Sequence, residues 1–487
     1  MTSFGDLDSG AFRAEAHRLV DWISGYLEGV ERYPVLARVR PGEIREALPA
    51  APPARGEPLD EILADVERVV VPGLTHWNHP GFFAYFANSS PGPAVLAEAL
   101  AAAFNANAML WKTAPAATEL ELVVLDWLRQ MLGLPAGLFG VIQDTASTST
   151  LVALAAAREA VPGLDVRRRG LIGQARLRMY ASEHAHSSVE KAGIVLGIGQ
   201  EGYRAVPVDE EHRMDPAALA RAVAEDRAAG FTPFAVTATV GTTSTTSIDP
   251  VPAIADVCAR EGLWLHVDTA YAGNAAVVPE LRWVLSGCER ADSLVVNPHK
   301  WMFVPVDLSV LYTRRPDVVR QAFSILPEYL RTAEESVAPN LMDYGVSLGR
   351  RFRALKLWMV IRAFGSEGIA ARLREHVRLA GMFRRLLESD PAFEIAAPSP
   401  LSVVCFRARF PGASPEEEDR RNAEMMEAVN ATGEAYLSHT KLKGRTVLRL
   451  AIGNLRTEER HVRRAFELLK AGGASGAPPD PALAPRE

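Results

Sequence analysis

The pattern of apolar and polar positions changes along the chain and predicts a helical arm at the N-terminus. Apolar residues recur at helical spacing from Phe12 to Leu27, which predicts an amphipathic helix that must pack on another surface, such as a second subunit. A proline-rich connector from Leu48 to Pro58 and a further helix from about Leu59 to Val70 follow. We therefore assign residues 1–81 to an N-terminal helical arm and dimerisation segment.

Two further regions follow the arm. Residues 82–364 alternate helical segments with short apolar runs such as "FGVIQ", "LRMYAS", "FAVTATV" and "LSVLYT", a pattern typical of a mostly parallel, covered sheet in a large α/β domain. Residues 365–471 mix helices with runs such as "SVVCFRAR" and "TVLRLAI", which indicates a small C-terminal α+β domain. Residues 472–487 are rich in glycine and proline, and we expect a disordered tail.

Composition limits the classes of function. The 487 residues are 48% hydrophobic and 23% charged with a formal net charge of -6, so no broad basic field indicates a nucleic-acid partner, and small molecules are favoured. The three cysteines are odd in number and form no CxxC pair, which argues against a disulfide framework and a zinc knuckle. No signal peptide and no apolar run long enough to span a bilayer is evident, so we expect a cytoplasmic protein without membrane attachment.

Candidate chemistry lies where apolar runs of the large domain end. Ser147, with Thr148, falls at the start of a helix predicted from Leu151, where free amides and hydroxyls suit an anion such as phosphate. Asp268 ends the run "GLWLHVD", and Lys300 follows "SLVV" in "NPHKW"; their separation of 32 positions corresponds to about one strand, helix, strand unit. Each residue also has a simpler reading, such as a helix or turn cap for Ser147 and Asp268.

Two close pairs of histidines raise the alternative of a metal site. His184 and His186 are two residues apart, and His76 and His79 are three apart. No third ligand with suitable spacing accompanies either pair. We therefore predict no metal site.

A phosphate site, a carboxylate and a buried lysine at one sheet edge together suit pyridoxal 5'-phosphate. This cofactor carries a phosphate, a ring nitrogen that needs an acidic partner, and an aldehyde that a lysine can hold as an imine. A lysine is costly to bury as a bare ammonium, and as an imine it is no longer one. The interpretation therefore explains why a lysine stands between two apolar runs.

The motifs "AHSSVEKAG", "TVGTTSTTSID", "WLHVDTAYAG" and "NPHKW" are similar to those of the group II pyridoxal-phosphate decarboxylases, specifically the aromatic L-amino-acid decarboxylases of bacterial type. The resemblance covers nearly the whole chain. It implies the fold type I, aspartate aminotransferase-like architecture with a mostly parallel seven-stranded sheet. It also implies pyridoxal 5'-phosphate as the cofactor and an amino acid as the substrate.

The resemblance carries specific roles to matching residues. It implies that Lys300 holds the cofactor, that Asp268 pairs with its ring nitrogen, that His186 stacks on its ring, and that Tyr329, in a mobile loop, assists protonation of the product. Further cofactor contacts implied in this way are Ala146, Ser147, Thr243, Ala270, Asn297 and His299. Asp144 and Thr145 stand where animal members have Gly-Ser, so the phosphate loop departs from their pattern.

The resemblance also implies a substrate pocket that two subunits share. Its residues would be Trp77, Tyr85, Phe86, Asn107, Met109 and Gly349, in part from the neighbouring chain of a homodimer with active sites near the interface. An aromatic lining favours a flat apolar side chain, so we expect an aromatic L-amino acid of the tryptophan, phenylalanine, tyrosine or DOPA type. The alternatives are an aromatic aldehyde synthase, a decarboxylase of a non-aromatic amino acid, and a non-catalytic protein that binds the cofactor.

Overall fold

The computed structural model describes residues 6–325, 334 and 337–474. The strands of these residues are β1 (Phe139–Gln143), β2 (Leu177–Ser182), β3 (Tyr203–Val206), β4 (Thr232–Thr239), β5 (Trp264–Asp268), β6 (Ser293–Val296), β7 (Ser309–Thr313), β8 (Phe393–Ile395), β9 (Val403–Ala408), β10 (Ser438–Leu442) and β11 (Arg445–Ala451). Their α-helices are α1 (Ser9–Glu28), α2 (Glu43–Ala47), α3 (Leu59–Asp65), α4 (Gly92–Phe104), α5 (Pro115–Met131), α6 (Ala146–Glu159), α7 (Val166–Arg169), α8 (Ser188–Val195), α9 (Pro216–Ala228), α10 (Val251–Glu261), α11 (Pro298–Trp301), α12 (Pro316–Phe323), α13 (Ala354–Glu388), α14 (Pro415–Ala431) and α15 (Glu459–Ala474).

The central sheet has seven strands in the order β1-β7-β6-β5-β4-β2-β3. β7 runs antiparallel to both of its neighbours, and the pairs among β6, β5, β4, β2 and β3 are parallel. The predicted mostly parallel, seven-stranded sheet of a fold type I protein is thus confirmed. The apolar runs did not predict β3, because two of its four residues are half-buried and one is exposed, so its sequence "YRAV" lacks a continuous apolar run.

Both faces of the sheet are covered, which explains why the strands consist largely of buried residues. All five residues of β5 are buried. Trp264 faces α6 in one hydrophobic cluster, whereas Leu265 and Val267 belong to the cluster on the opposite side. α6 begins at Ala146, five residues before the predicted start, because its polar first turn "ASTST" carries no apolar periodicity.

A second, four-stranded antiparallel sheet, in the order β10-β11-β9-β8, forms the C-terminal part. β10 was missed in the sequence because its residues, "SHTKL", are mostly polar. α13 is kinked at Gly365 (φ 64°), at the predicted start of the small domain. Phe83 hydrogen-bonds to this part of the chain: its N–H donates to the Tyr436 carbonyl (2.9 Å) and its carbonyl accepts from Ala451 (2.9 Å). The segment that leads towards the predicted substrate pocket is therefore attached to the small sheet.

The N-terminal helix α1 contains no buried residue. Asp8 caps it by accepting hydrogen bonds from the amides of Gly10 and Ala11, but Phe12 remains 63% exposed on its surface. Its contact with a second subunit stays a prediction. Within the described part of the chain, no helix is both long and apolar enough to cross a membrane.

Candidate active site

The site is a cavity at the carboxyl ends of the central strands. In a parallel sheet these ends share one edge, and the turns that follow them supply ligand-binding side chains. The residues that line the cavity are Phe86, Thr145, Ala146, Ser147, His186, Thr239, Gly241, Thr243, Asp268, Ala270, Tyr271, Asn297, His299 and Lys300. The structure therefore brings together in one place all nine predicted cofactor contacts.

Lys300 lies on the short helix α11, directly after β6. Its Nζ is 5.3 Å from the centroid of the Phe86 ring, and that ring stacks on Tyr271 with 3.7 Å between centroids. Burial lowers the pKa of Lys300, and the negative charge of Asp268 opposes this shift. A lowered pKa favours the neutral amine, which is the form that attacks an aldehyde.

Asp268 ends β5 and is almost fully buried. Its Oδ1 accepts a hydrogen bond from the Ala270 amide (3.0 Å), which fixes the carboxylate at the sheet edge. On the next strand, Thr239 is its register partner, and the Thr239 Oγ1 is buried without a hydrogen-bond partner in the described chain. One carboxylate oxygen is thus held by the backbone, while a neighbouring hydroxyl remains available.

His186 follows β2 and lies at the mouth of the cavity. Its Nδ1 accepts from the Ser188 amide (3.2 Å) and is 2.8 Å from the Ser188 hydroxyl, which fixes the ring plane. Desolvation lowers its pKa. His184 does not join it, because its ring stacks on His212 with 5.2 Å between centroids. Among the described residues, no group of three or more His, Cys, Asp or Glu side chains could hold a metal ion.

The opposite end of the cavity offers hydrogen-bond donors. Thr145 is the N-cap of α6 but makes no side-chain cap bond, and its amide donates to Asp144 Oδ1 (2.5 Å). The next amides, of Ala146 and Ser147, are at the first turn of the helix, where no intrahelical acceptor exists. Ser147 is exposed there. The helix start therefore suits an anion, as predicted from the sequence.

His299 and Asn297 line the same cavity. The Nδ1 of His299 accepts from the Leu308 amide (3.0 Å), and burial lowers the pKa of His299 to about 4, so the neutral ring carries its proton on Nε2. Asn297 Nδ2 lies 3.4 Å from that Nε2, whereas Asn297 Oδ1 is buried with no partner in the described chain. Rotating the amide would let Oδ1 accept the Nε2 proton and turn the NH2 group to the other side.

Arg449 of β11 fixes the loop that carries Thr243. Its guanidinium donates to the carbonyls of Thr243 (2.7 Å), Ser244 (2.8 Å) and Ala84 (3.1 Å). Arg449 is buried, and the groups that accept its hydrogen bonds are three carbonyls and the Ser438 hydroxyl. It thereby joins the loop that carries Thr243 and the segment before Phe86 to the small sheet.

The same loop contains Gly241, which has φ 89°. A Cβ there would lie 2.5 Å from the Ala272 Cβ, so a larger residue is excluded.

Two predicted pocket residues form an aromatic wall. Trp77 stacks on Phe82 (4.3 Å between centroids) and lies 6.0 Å from the ring of Tyr85. Trp77 is 37% exposed and Tyr85 is 48% exposed, so both rings can meet a ligand. The Tyr436 hydroxyl donates to the Tyr85 hydroxyl (3.4 Å), which links this wall to the small sheet.

The remaining pocket residues lie elsewhere on the chain surface. Asn107 Oδ1 accepts from the Arg350 amide (3.0 Å), and its Nδ2 is the nearest atom, at 3.9 Å, to a Cβ built on Gly349. Met109 packs near Leu110 and Met342. None of the three predicted residues lines the cavity around Lys300 within the described chain. The structure therefore divides the predicted substrate pocket into two groups, one with Trp77, Tyr85 and Phe86 and one with Asn107, Met109 and Gly349.

The predicted catalytic residue Tyr329 lies outside the described residues.

The sequence reasoning missed three residues that line or support the cavity, namely Thr239, Tyr271 and Arg449. Thr239 could have been found, because it ends the apolar run "FAVTAT" as Asp268 ends "WLHVD". The sequence carries no signal for Arg449. It belongs to the small domain and reaches the site only because β11 packs against the loop that carries Thr243.

Comparisons with known proteins agree with this geometry. Residues 41–409 match the family described as "Pyridoxal-dependent decarboxylase conserved domain". Tryptophan decarboxylase 2 of Oryza sativa subsp. japonica is 40% identical over 474 residues, which cover 95% of both chains. Phenylacetaldehyde synthase of Arabidopsis thaliana is 40% identical over 95% of this chain and 96% of its own. These two relatives are plant proteins.

A solved structure is similar over almost its whole length. The crystal structure of Oryza sativa TDC with PLP and tryptamine has a TM-score of 0.93 and 40% identity, and the match covers 97% of this chain and 99% of that one.

The residues present fit pyridoxal phosphate. The hydroxyl of Thr239, which has no hydrogen-bond partner among the described residues, belongs to a residue that lines the cavity and is satisfied if a polar group binds there. The start of α6 and Ser147 would hold the phosphate, Asp268 would accept the ring N–H, and Lys300 would hold the aldehyde. The small side chain of Ala270 leaves room for a flat ring.

Proposed function

Because this chain belongs to the pyridoxal-dependent decarboxylase family, we propose that it removes the α-carboxylate of an aromatic L-amino acid and forms the corresponding arylalkylamine and CO2. The observation that carries this proposal is one cavity in which Lys300 and Asp268 meet. The segment Trp77–Phe86 runs from a partly exposed aromatic wall to that cavity.

Each of four residues has a separate role in the proposed reaction. When bound, pyridoxal phosphate supplies an electron sink for the pair of electrons that the departing carboxylate leaves behind. Lys300 would hold the aldehyde of the cofactor, and its neutral amine form suits that covalent link. Asp268 would hold a proton at the ring nitrogen, and His186 would orient the ring, since both side chains line the cavity. Tyr329 is proposed to deliver the proton that replaces CO2 at the α-carbon.

The aromatic wall of Trp77 and Tyr85 supports an aromatic substrate. The partly exposed rings of Trp77 and Tyr85 offer a flat apolar surface for a side chain. No arginine lines the described cavity, so a second carboxylate, as in glutamate, would lack a charged partner. The Oryza sativa relative named as a tryptophan decarboxylase agrees with a preference for an indole ring.

Release of CO2 from a set of amino acids tests this proposal. The protein saturated with cofactor is given L-tryptophan, L-phenylalanine, L-tyrosine and L-DOPA, with L-glutamate as the control. We expect CO2 and the matching amine from at least one aromatic substrate and none from glutamate. Turnover of glutamate alone would contradict the aromatic assignment, whereas binding of cofactor without any turnover would indicate a non-catalytic protein.

An aromatic aldehyde synthase is the second candidate, because the relative from Arabidopsis thaliana named phenylacetaldehyde synthase is 40% identical. The resemblance places tyrosine at position 329 in decarboxylases and phenylalanine in aldehyde synthases. We expect Tyr329→Phe to shift the main product from amine to aldehyde, because the proton donor is lost and oxygen can react instead. Oxygen uptake, ammonia and peroxide measure this change. An unchanged amine product in the variant would refute the role of Tyr329.

We infer that the active unit is a homodimer whose sites combine residues of both chains. Asn107, Met109 and Gly349 form a group that does not reach the described cavity of their own chain. The exposed apolar residues of α1 provide a surface that a second copy would cover. Contribution of the second group by the partner would complete the substrate pocket.

Subunit complementation tests this arrangement. Lys300→Ala inactivates one type of chain, and Gly349→Phe blocks the pocket from the other, at a position where a Cβ meets no atom closer than 3.9 Å. Each variant alone should be inactive. Equal coexpression should restore about a quarter of the wild-type activity, because half of the dimers are mixed and each has one intact site. No recovery in isolated mixed dimers would mean that each pocket is built from a single chain.

A further inference from the structure

Three buried polar side chains of α6 and the central sheet lack a hydrogen-bond partner among the described residues. Thr150 of α6, Thr237 of β4 and His266 of β5 are all at most 1% exposed. Thr150 Oγ1, Thr237 Oγ1 and His266 Nε2 have no hydrogen-bond partner among the described residues. Buried polar atoms without a partner are rare, and three in a protein core require an explanation.

The strand register places these atoms in a row that leads to Asp268. Thr237 is the register partner of His266, and two residues further along the same strands Thr239 is the partner of Asp268. Side chains two residues apart on a strand point to the same face, so all four face the same side of the sheet. This side is the one that α6 covers, as the contact of its apolar residues with Trp264 shows.

The hydrogen bonds at the far end of the row are compatible with a His266 ring that carries its proton on Nε2. Trp264 Nε1–H donates to Ser293 Oγ (2.9 Å), and the same Oγ lies 2.9 Å from His266 Nδ1. If the Ser293 hydroxyl donates its proton onward to Nδ1, the neutral ring carries its own proton on Nε2. Burial lowers the pKa of His266 to about 4, which keeps the ring neutral at pH 7. In this tautomer the row contains a buried N–H donor beside a threonine hydroxyl.

Water is the ligand that suits this place. Buried waters satisfy polar groups that lack partners, and they need two to four such groups around them. Thr237 and His266 are register partners and supply two such groups, the carboxylate of Asp268 lies next in the row, and Thr150 belongs to the helix that covers this face of the sheet. An apolar occupant would leave the same atoms unsatisfied.

We propose that ordered water between α6 and the β4–β5 pair joins Thr150, Thr237 and His266 into a hydrogen-bond relay that ends at Asp268. His266 is then a positioning residue, because its Nε2 proton stabilises the ionised carboxylate that faces the ring nitrogen of the cofactor. The inference rests on the cofactor of the proposed function but not on the identity of the substrate.

The protonation of the cofactor nitrogen is the direct test. The holoenzyme is prepared with pyridoxal phosphate labelled with ¹⁵N in the ring, and the nitrogen signal is followed by NMR against pH without substrate. Thr237→Val removes the hydroxyl at nearly constant shape, and His266→Asn removes the Nε2 position while keeping a polar group towards Ser293. We expect both to lower the pH at which the ring nitrogen loses its proton by about one unit and to weaken cofactor binding about tenfold.

Two matched controls separate the relay from packing. Ser309→Ala removes a buried hydroxyl of β7 that pairs with Ser149 (2.8 Å), outside the row, and should leave the titration unchanged. Thr237→Ser keeps the hydroxyl but loses a methyl group, so the relay predicts a titration like wild type, whereas a packing role predicts a change at least as large as in Thr237→Val. If His266→Asn fails to fold, the pair of Thr237 variants still decides.

Three results would overturn the proposal. The first is an identical titration of the ring nitrogen in wild type, Thr237→Val and Ser309→Ala. The second is a titration of Thr237→Ser that moves as far as that of Thr237→Val. The third is a high-resolution structure of the holoenzyme in which His266 Nε2 contacts no water or hydroxyl. None of them depends on decarboxylation, so a failure of the substrate assignment would be seen separately, in the release of CO2.

Discussion

Lys300→Ala is expected to lower decarboxylase activity by at least about a thousandfold, a loss of about 4 kcal/mol in transition-state stabilisation. Lys300 is the lysine of the cavity, and its lowered pKa makes the neutral amine available for the covalent link to the cofactor. The variant should also lose the visible absorption of the bound cofactor. Release of CO2 and the absorption spectrum measure the two effects.

The matched control for this variant is Lys441→Ala, because Lys441 is an exposed lysine of β10 and lies outside the cavity. It should keep both the absorption and the activity. Borohydride reduction followed by peptide mapping should label Lys300 in the wild type and no residue in the Lys300→Ala variant. Label on another lysine, or full activity of the variant, would show that the covalent link is placed wrongly.

Asp268→Asn is expected to lower the rate by about a hundredfold to a thousandfold, the range seen when one electrostatic contact to a transition state is removed. An amide is neutral and cannot hold a proton at the ring nitrogen, so the cofactor becomes a weaker electron sink. The backbone contact of the side chain can persist, because the amide oxygen can still accept from Ala270. The loss should therefore appear in kcat, with a smaller change in the free energy of unfolding.

Asp292→Asn provides the comparison for Asp268→Asn. Asp292 is also a partly buried carboxylate that accepts a backbone N–H, from Leu265 (2.9 Å), but it precedes β6 at the opposite edge of the sheet. The same chemical change there should leave kcat within about twofold of the wild type. Equal losses in both variants would mean that the effect comes from stability and not from the cofactor site.

Much of the large domain was predictable, because its strands are buried on both sides and read as continuous apolar runs. β1, β2, β4, β5, β6 and β7 all coincide with runs identified in the sequence. The half-buried β3 and the polar β10 were not identified, since their pairing depends on neighbours that are distant in sequence. The kink of α13 at Gly365 falls at the predicted boundary, but the hydrogen bonds of Phe83 to the small sheet were not foreseen.

The candidate site shows the same division. Lys300 and Asp268 could be placed together because parallel strands one crossover apart end at the same edge, and the structure pairs β5 with β6 accordingly. The support that Arg449 gives to Thr243 joins residues 206 positions apart, which no local pattern reports. The separation of Asn107 and Gly349 from the cavity likewise became visible only in three dimensions.

The sequence by itself determined the chemistry of this protein. A lysine and an aspartate at the ends of apolar strands, with a polar helix start, suffice to indicate an aldehyde cofactor with a phosphate. Only the tertiary structure decided what surrounds that chemistry: the ring of Phe86 against Lys300, the buried row behind Asp268, and the division of the substrate pocket. The physical reason is that the periodicity of a strand depends on residues that are close in sequence, whereas packing and hydrogen bonding between distant segments depend on how the whole chain folds.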